Sequence, residues 1–185
     1  MTITPVPPEI AEIERTHIGL YQDFPQPGVL FRDITPLLRD PKAMKTVIKY
    51  WASTVPAEVD LVVGTEARGF VFGAPLAYEM DRGFVPVRKA GKLPGKPNSL
   101  TYDLEYGSAT IEIAENAVPK DARVLVLDDL LATGGTAAAT IQLVESLGAE
   151  VVAASFLIEL LGLGGREKLG DIPLHTVWSL SLIHI

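Results

Sequence analysis

The stretch VLVLDDLLATGGT, residues 124–136, decides how this chain is read. Val124, Leu125, Val126 and Leu127 fit a buried strand. Asp128 and Asp129 then end that strand, and Ala132-Thr133-Gly134-Gly135-Thr136 lead into a predicted helix. The first backbone N–H groups of a helix have no partner within it and carry the positive end of its dipole. A phosphate monoester fits such a turn. The two carboxylates cannot face the same phosphate, because like charges a few ångströms apart in a partly desolvated site repel strongly. They call for hydroxyl donors or a hydrated Mg²⁺. A ligand with a phosphate at one end and vicinal hydroxyls at the other, such as a ribose 5-phosphate, meets both demands. Neither GxxxxGK[ST] nor GxGxxG is present in the stretch, which separates it from nucleotide P-loops and dinucleotide-binding turns. The plainer reading, a strand end and an ordinary turn, leaves two adjacent acids without partners.

Working outward, short apolar runs alternate with longer mixed segments. LVVG (61–64), FVPV (84–87) and VVAASFLI (151–158) read as further buried strands, with helices over about 69–80 and 136–147 and Gly148 as a cap. This order predicts an α/β fold whose mostly parallel sheet is flanked by helices, with ligands at the C-terminal ends of its strands. Asp40 followed by Pro41 predicts an N-cap and a helix through about Ala52, with Met44, Val47, Ile48 and Trp51 on its buried face. Pro5, Pro7 and Pro8 predict a loose tail over residues 1–8, with helical patterning from near Ile10. KAGKLPGKPNSLTYDLEYG (89–107) is rich in Gly, Pro and Lys and has no sustained periodicity. A loop of that length in a compact domain predicts a lid that closes over a reaction.

The composition narrows the chemistry. At 185 residues and 48% hydrophobic, the chain suits one well-filled domain, 1–185. Having no cysteine, it offers no disulfide, thiolate metal site or thiol nucleophile. A net charge of −7 argues against general affinity for nucleic acid or anionic membrane, so any polyanionic ligand must be held locally. No apolar run approaches the ~18 residues needed to span a bilayer, and the N-terminus lacks signal-peptide features. A cytoplasmic protein is expected. His17, His175 and His184 show no metal-ligand spacing and read as structural or surface residues. Trp178, in HTVWSLSLIHI, reads as completing a core or a subunit contact.

VLVLDDLLATGGT resembles the 5-phosphoribosyl 1-pyrophosphate (PRPP) signature of type I phosphoribosyltransferases, in the form carried by the adenine-specific branch of that family. FPQPGVLFRDITPLL (24–38), GTEARGFVFGAPLA (64–77), VRKAGKLPG (87–95), SLTYDLEYG (99–107) and GREKLG (165–170) agree with that narrower assignment. The resemblance implies a single-domain type I fold with a small hood and a flexible lid loop. It assigns the 5-phosphate to Ala132, Thr133, Gly134, Gly135 and Thr136, and the ribose hydroxyls to Asp128 and Asp129. Glu66, Ala67 and Arg68 would form the loop that receives pyrophosphate, with Arg88 and Lys89 adding positive charge and a non-proline cis peptide joining Glu66 to Ala67. Leu30, Phe31 and Arg32 would hold the purine, Phe31 stacking on it, with Leu160 closing the other face. Glu105 matches the acidic lid residue that accepts a proton from the base, and Tyr106 would pack over the closed site.

The implied reaction is adenine plus PRPP giving AMP and pyrophosphate, with Arg68, Arg88, Lys89 and Mg²⁺ stabilising the departing charge and Glu105 and Arg68 the catalytic residues. Mg²⁺ would be held mainly by PRPP, pyrophosphate and water rather than by protein ligands. The resemblance also implies a homodimer. Two alternatives stand beside this reading. A regulator that keeps the PRPP pocket as a sensor would carry a DNA-binding module and a basic face, and this chain shows neither. A 6-oxopurine or xanthine phosphoribosyltransferase would differ in the base it accepts.

Overall fold

In the computed structural model, which describes residues 6–103 and 107–181, the chain begins with α1 (Pro8–His17), β1 (Gly19–Tyr21), β2 (Phe31–Asp33), α2 (Thr35–Arg39) and α3 (Pro41–Thr54). It continues through β3 (Leu61–Thr65), α4 (Arg68–Glu79), β4 (Gly83–Lys89), β5 (Asn98–Asp103) and β6 (Ser108–Ile113). The last elements are β7 (Arg123–Leu131), α5 (Gly135–Ser146), β8 (Glu150–Leu161), α6 (Gly165–Leu169) and β9 (Leu174–Ser181). Seven strands form one sheet in the order β5-β6-β4-β3-β7-β8-β9, and β1 with β2 makes a separate two-stranded ribbon, the hood. Strands β4, β3, β7, β8 and β9 run parallel, while β6 pairs antiparallel with both β4 and β5.

Alternation along β7 divides the interior. Leu125 and Leu127 face a cluster built with Trp51 of α3 and Phe72 and Leu76 of α4. Val124 and Val126 face the other side, where Ile141 and Val144 of α5 pack. A strand buried on both faces reads as a continuous apolar run, which is why VLVL was legible. The helix opened by Asp40 forms as the sequence predicts: its carboxylate accepts the Lys42 and Ala43 N–H groups at 2.8 and 3.1 Å. Trp51 is fully buried, and Trp178 is also part of the core.

Four expectations need correction. Pro8 belongs to α1, at a first-turn position where its missing N–H costs nothing, so helix begins inside the expected tail. Strand β7 does not end at Asp128 and Asp129, because β8 extends beside it and pairs through Leu131↔Glu159. Strand β8, expected over 151–158, runs on to Leu161 because the C-terminal run forms β9 beside it. Finally, the segment read as an unbroken loop contains β5, which forms a hairpin with β6. β5 alternates half-buried with exposed residues and turns only Leu100 and Tyr102 inward as large apolar groups, too short a pattern to register as periodic. No helix of the described residues is long and apolar enough to cross a membrane.

Candidate active site

The site arises from a mismatch in strand length. β3 stops at Thr65 while β7 runs on, so their ladder ends at Gly64↔Leu127 and Asp128 is the first β7 residue past it. From β3 the chain returns through α4 to β4 on one side, and from β7 through α5 to β8 on the other. The strand order reverses between the parallel neighbours β3 and β7, the place where open α/β sheets bind ligands. A cavity of 640 Å³ opens there. Its wall brings together Glu66, Ala67, Arg68, Arg88, Lys89, Asp128, Asp129 and Thr136, all singled out from sequence.

Asp128 and Asp129 differ in their partners. The Thr65 hydroxyl donates to Asp128 Oδ2, and the Asp129 N–H donates to Asp128 Oδ1 at 2.8 Å. A side chain on Gly69 would come within 2.9 Å of Asp128 Oδ1, so the start of α4 lies against this carboxyl. Asp129 is 6% exposed and meets Arg68 Nε at 3.0 Å. Burial pushes both carboxyls above the ordinary aspartate range. Asp128 rises to about 7, because the Asp129 charge adds to burial and outweighs the Thr65 hydrogen bond. For Asp129 the neighbouring Arg68 opposes the rise.

Glu66 sits in the reverse environment. Its carboxylate pairs with Lys92, accepts the Lys89 N–H at 2.9 Å and meets Arg88 Nε at 3.1 Å. These contacts hold its carboxyl down at about 2, with the Lys92 bond the largest cause. The Glu66–Ala67 peptide is cis.

At the other end, Gly134 is the N-cap of α5 with φ of +78°, a left-handed conformation that favours glycine. Of the five residues expected at the phosphate, Thr136 lines the cavity, while Ala132, Thr133 and Gly134 form the turn between β7 and α5, and Gly135 opens that helix. Tyr102 of β5 reaches over this turn, its hydroxyl 3.0 Å from Thr136 Oγ1. Lys168 of α6 also approaches the turn, with Nζ 3.9 Å from where a Gly135 Cβ would stand.

The proposed purine residues are not in the cavity wall. Phe31 lies on β2, edge-on to Phe24 with ring centroids 5.1 Å apart. Arg32 donates to the Ser181 carbonyl at 3.3 Å, joining the hood to the end of β9, while its buried Nε meets no hydrogen-bond partner. Leu160 pairs with Leu180 across β8 and β9, and Leu30 precedes β2. The hood is near enough to the cavity that Arg68, after the Thr35 hydrogen bonds, helps to lower the Asp33 carboxyl. Glu105 and Tyr106 lie outside the described residues.

The phosphoribosyl transferase domain matches residues 36–169 of the chain. The adenine phosphoribosyltransferase of a Synechococcus species is 56% identical over 156 residues, covering 84% of this chain and 91% of that protein. The chain belongs to the adenine phosphoribosyltransferase family. A Microcystis aeruginosa member is 51% identical, over 84% of this chain and 92% of its own. The crystal structure of the Thermoanaerobacter pseudethanolicus member superposes with a TM-score of 0.88 at 47% identity, covering 92% of this chain and 99% of that one. The Saccharomyces cerevisiae member, crystallised with an imino-altritol bisphosphate and adenine, superposes with a TM-score of 0.83 at 42% identity, covering 91% and 98%.

Three residues in or beside the cavity escaped the sequence reading. Thr65 and Tyr102 reach their partners over 63 and 34 residues of chain, and Lys92 reaches Glu66 over 26. Thr65 alone carried a local signal, as a polar residue directly following a buried apolar run.

Proposed function

We infer that the chain transfers the 5-phosphoribosyl group of PRPP to adenine, giving AMP and pyrophosphate in purine salvage. One observation carries this reading: a single cavity brings together the cations Arg68, Arg88 and Lys89, the acid pair Asp128 and Asp129, and Thr136 from the first turn of α5. PRPP carries a group to match each: pyrophosphate, ribose hydroxyls and 5-phosphate. The amides of Ala132 to Thr136 receive the 5-phosphate. Asp128 and Asp129 accept hydrogen bonds from the ribose hydroxyls, which compensates carboxylates whose burial otherwise raises their proton affinity.

Adenine N9 attacks C1′ as pyrophosphate departs. Positive charge developing on the sugar lies beside Asp128 and Asp129, and the charge of the leaving group falls among Arg68, Arg88, Lys89 and Lys92, so both are stabilised by groups already in place. Glu66 orients Arg88 and Lys92 before the substrate arrives. Leu30, Phe31, Arg32 and Leu160 are assigned to adenine, Glu105 to its proton and Tyr106 to the closed lid. Holding adenine against C1′ makes the reaction effectively unimolecular and disadvantages water as a rival nucleophile.

Mg²⁺ fits this donor set as a substrate-borne ion. The hard oxygen donors of Asp128 and Asp129 in the cavity wall suit a hydrated Mg²⁺. Bound to the pyrophosphate, the ion would neutralise leaving-group charge. We assign the chain to the cytoplasm as a single-domain homodimer that binds no nucleic acid. The test is pyrophosphate release from PRPP and Mg²⁺ with adenine, hypoxanthine, guanine and xanthine in turn. Release with adenine alone is expected; preference for an oxopurine would overturn the base assignment, and PRPP binding without AMP formation would favour a sensor.

A further inference from the structure

We propose that Glu159 and Arg166 form a clamp that positions the 5-phosphate turn, acting through Gly165; the proposal rests on the phosphate reading of Ala132 to Thr136. Helix α6 has five residues and is too short to persist by itself. Its placement is imposed from outside. Leu169 anchors one end in the core, and Arg166 fixes the other by donating from Nε and Nη2 to the two carboxylate oxygens of Glu159 at 2.9 and 2.6 Å. Glu159 lies near the C-terminal end of β8, is 3% exposed, and also accepts the Ser179 hydroxyl at 3.2 Å. A carboxylate this buried requires a paired cation, and the two-pronged guanidinium contact fixes orientation as well as distance.

The clamp presses backbone on backbone. A Cβ on Gly134 would stand 2.8 Å from the Gly165 carbonyl oxygen and 3.1 Å from its Cα. A Cβ on Gly165 would overlap the Ala132 carbonyl oxygen and meet Leu131 Cδ1 at 3.0 Å. The turn therefore has no room to retreat from an incoming phosphate. Amides held in place before binding need no reorganisation when the anion arrives. Neither Glu159 nor Arg166 lines the cavity, so their effect is on the turn and not on ligand directly.

The experiment titrates ribose 5-phosphate and, separately, pyrophosphate into the full chain and three variants by calorimetry. Glu159→Gln with Arg166→Met removes both charges together and leaves no orphaned ion. Gly165→Ala tests the steric contact with the ion pair intact and decides the matter if the double variant fails to fold. Gly134→Ala strains the turn itself. The first two variants are expected to weaken ribose 5-phosphate about 10- to 100-fold, the range for a small misplacement of binding groups. Pyrophosphate affinity and KM for adenine should stay at wild-type values while KM for PRPP rises. Wild-type ribose 5-phosphate affinity in Gly165→Ala, with loss only in Gly134→Ala, would overturn the clamp and leave the phosphate assignment standing. Equal weakening of both ligands would also overturn it. Unchanged binding in Gly134→Ala would remove the phosphate assignment itself.

Discussion

Glu66 and Asp128 line the same cavity, yet their carboxyls are driven in opposite directions. Glu66 is surrounded by Lys92, Arg88 and the Lys89 amide and gives up its proton readily. Asp128 is buried beside a second acid and holds its proton up to about pH 7. In the proposed function the two carboxyls prepare the cavity for one ligand in different ways. In the proposed binding mode the pyrophosphate end keeps its cations ordered with an internal counter-ion, and the sugar end buries two acids, held by Thr65 and Arg68, whose raised proton affinity incoming hydroxyls would offset. The phosphate end uses neither device, relying on backbone amides fixed by glycine contacts.

The largest effect is expected at the turn proposed to hold the 5-phosphate. Gly134→Ala should lower kcat/KM for PRPP about 100-fold, since the turn would have to shift to relieve strain at a positive φ and contact with Gly165, and steady-state kinetics read this directly. Asp128→Asn should abolish most PRPP-dependent turnover and yet stabilise the ligand-free protein at pH 8. The sign follows from linkage: a carboxyl raised in the folded state contributes stability below pH 3.8, which is lost as pH rises through about 7. Melting curves from pH 4 to 8 should therefore fall less steeply for the variant, with a gain of about 3 °C for each kcal/mol recovered.

Glu66→Gln should give the reverse slope. A depressed carboxyl contributes stability above pH 4.5 that is lost as pH falls through about 2, so the variant should be less stable near neutrality and lose less on acidification. Parallel melting curves for Glu66→Gln and wild type between pH 5 and 2 would contradict the contrast. The smallest effect belongs to Tyr102→Phe. Losing one hydroxyl contact with Thr136 should raise KM for PRPP about threefold or less, the scale of one neutral hydrogen bond.

Much of the site was legible because its charges are local. VLVLDDLLATGGT placed strand, acids and turn in one run, and the contradiction between acids and anion turn set the expectation of a ligand with phosphate at one end and hydroxyls at the other. The Asp40-Pro41 helix was legible for the same reason, its cap and first turn being neighbours in sequence. What stayed hidden depends on pairing. β5 is recognisable only beside β6, and the length of β7 past Asp129 depends on β8, neither of which a run of single residues reveals. Likewise, nothing in GREKLG shows that Gly165 backs Gly134, a contact made by two glycines without side chains.

The most direct test of this account is a crystal of the protein soaked with PRPP and Mg²⁺. It should show the 5-phosphate on the amides of Ala132 to Thr136, the ribose hydroxyls at Asp128 and Asp129, and the pyrophosphate among Arg68, Arg88 and Lys89. A donor bound in the reverse sense, or lodged away from the gap between β3 and β7, would contradict it.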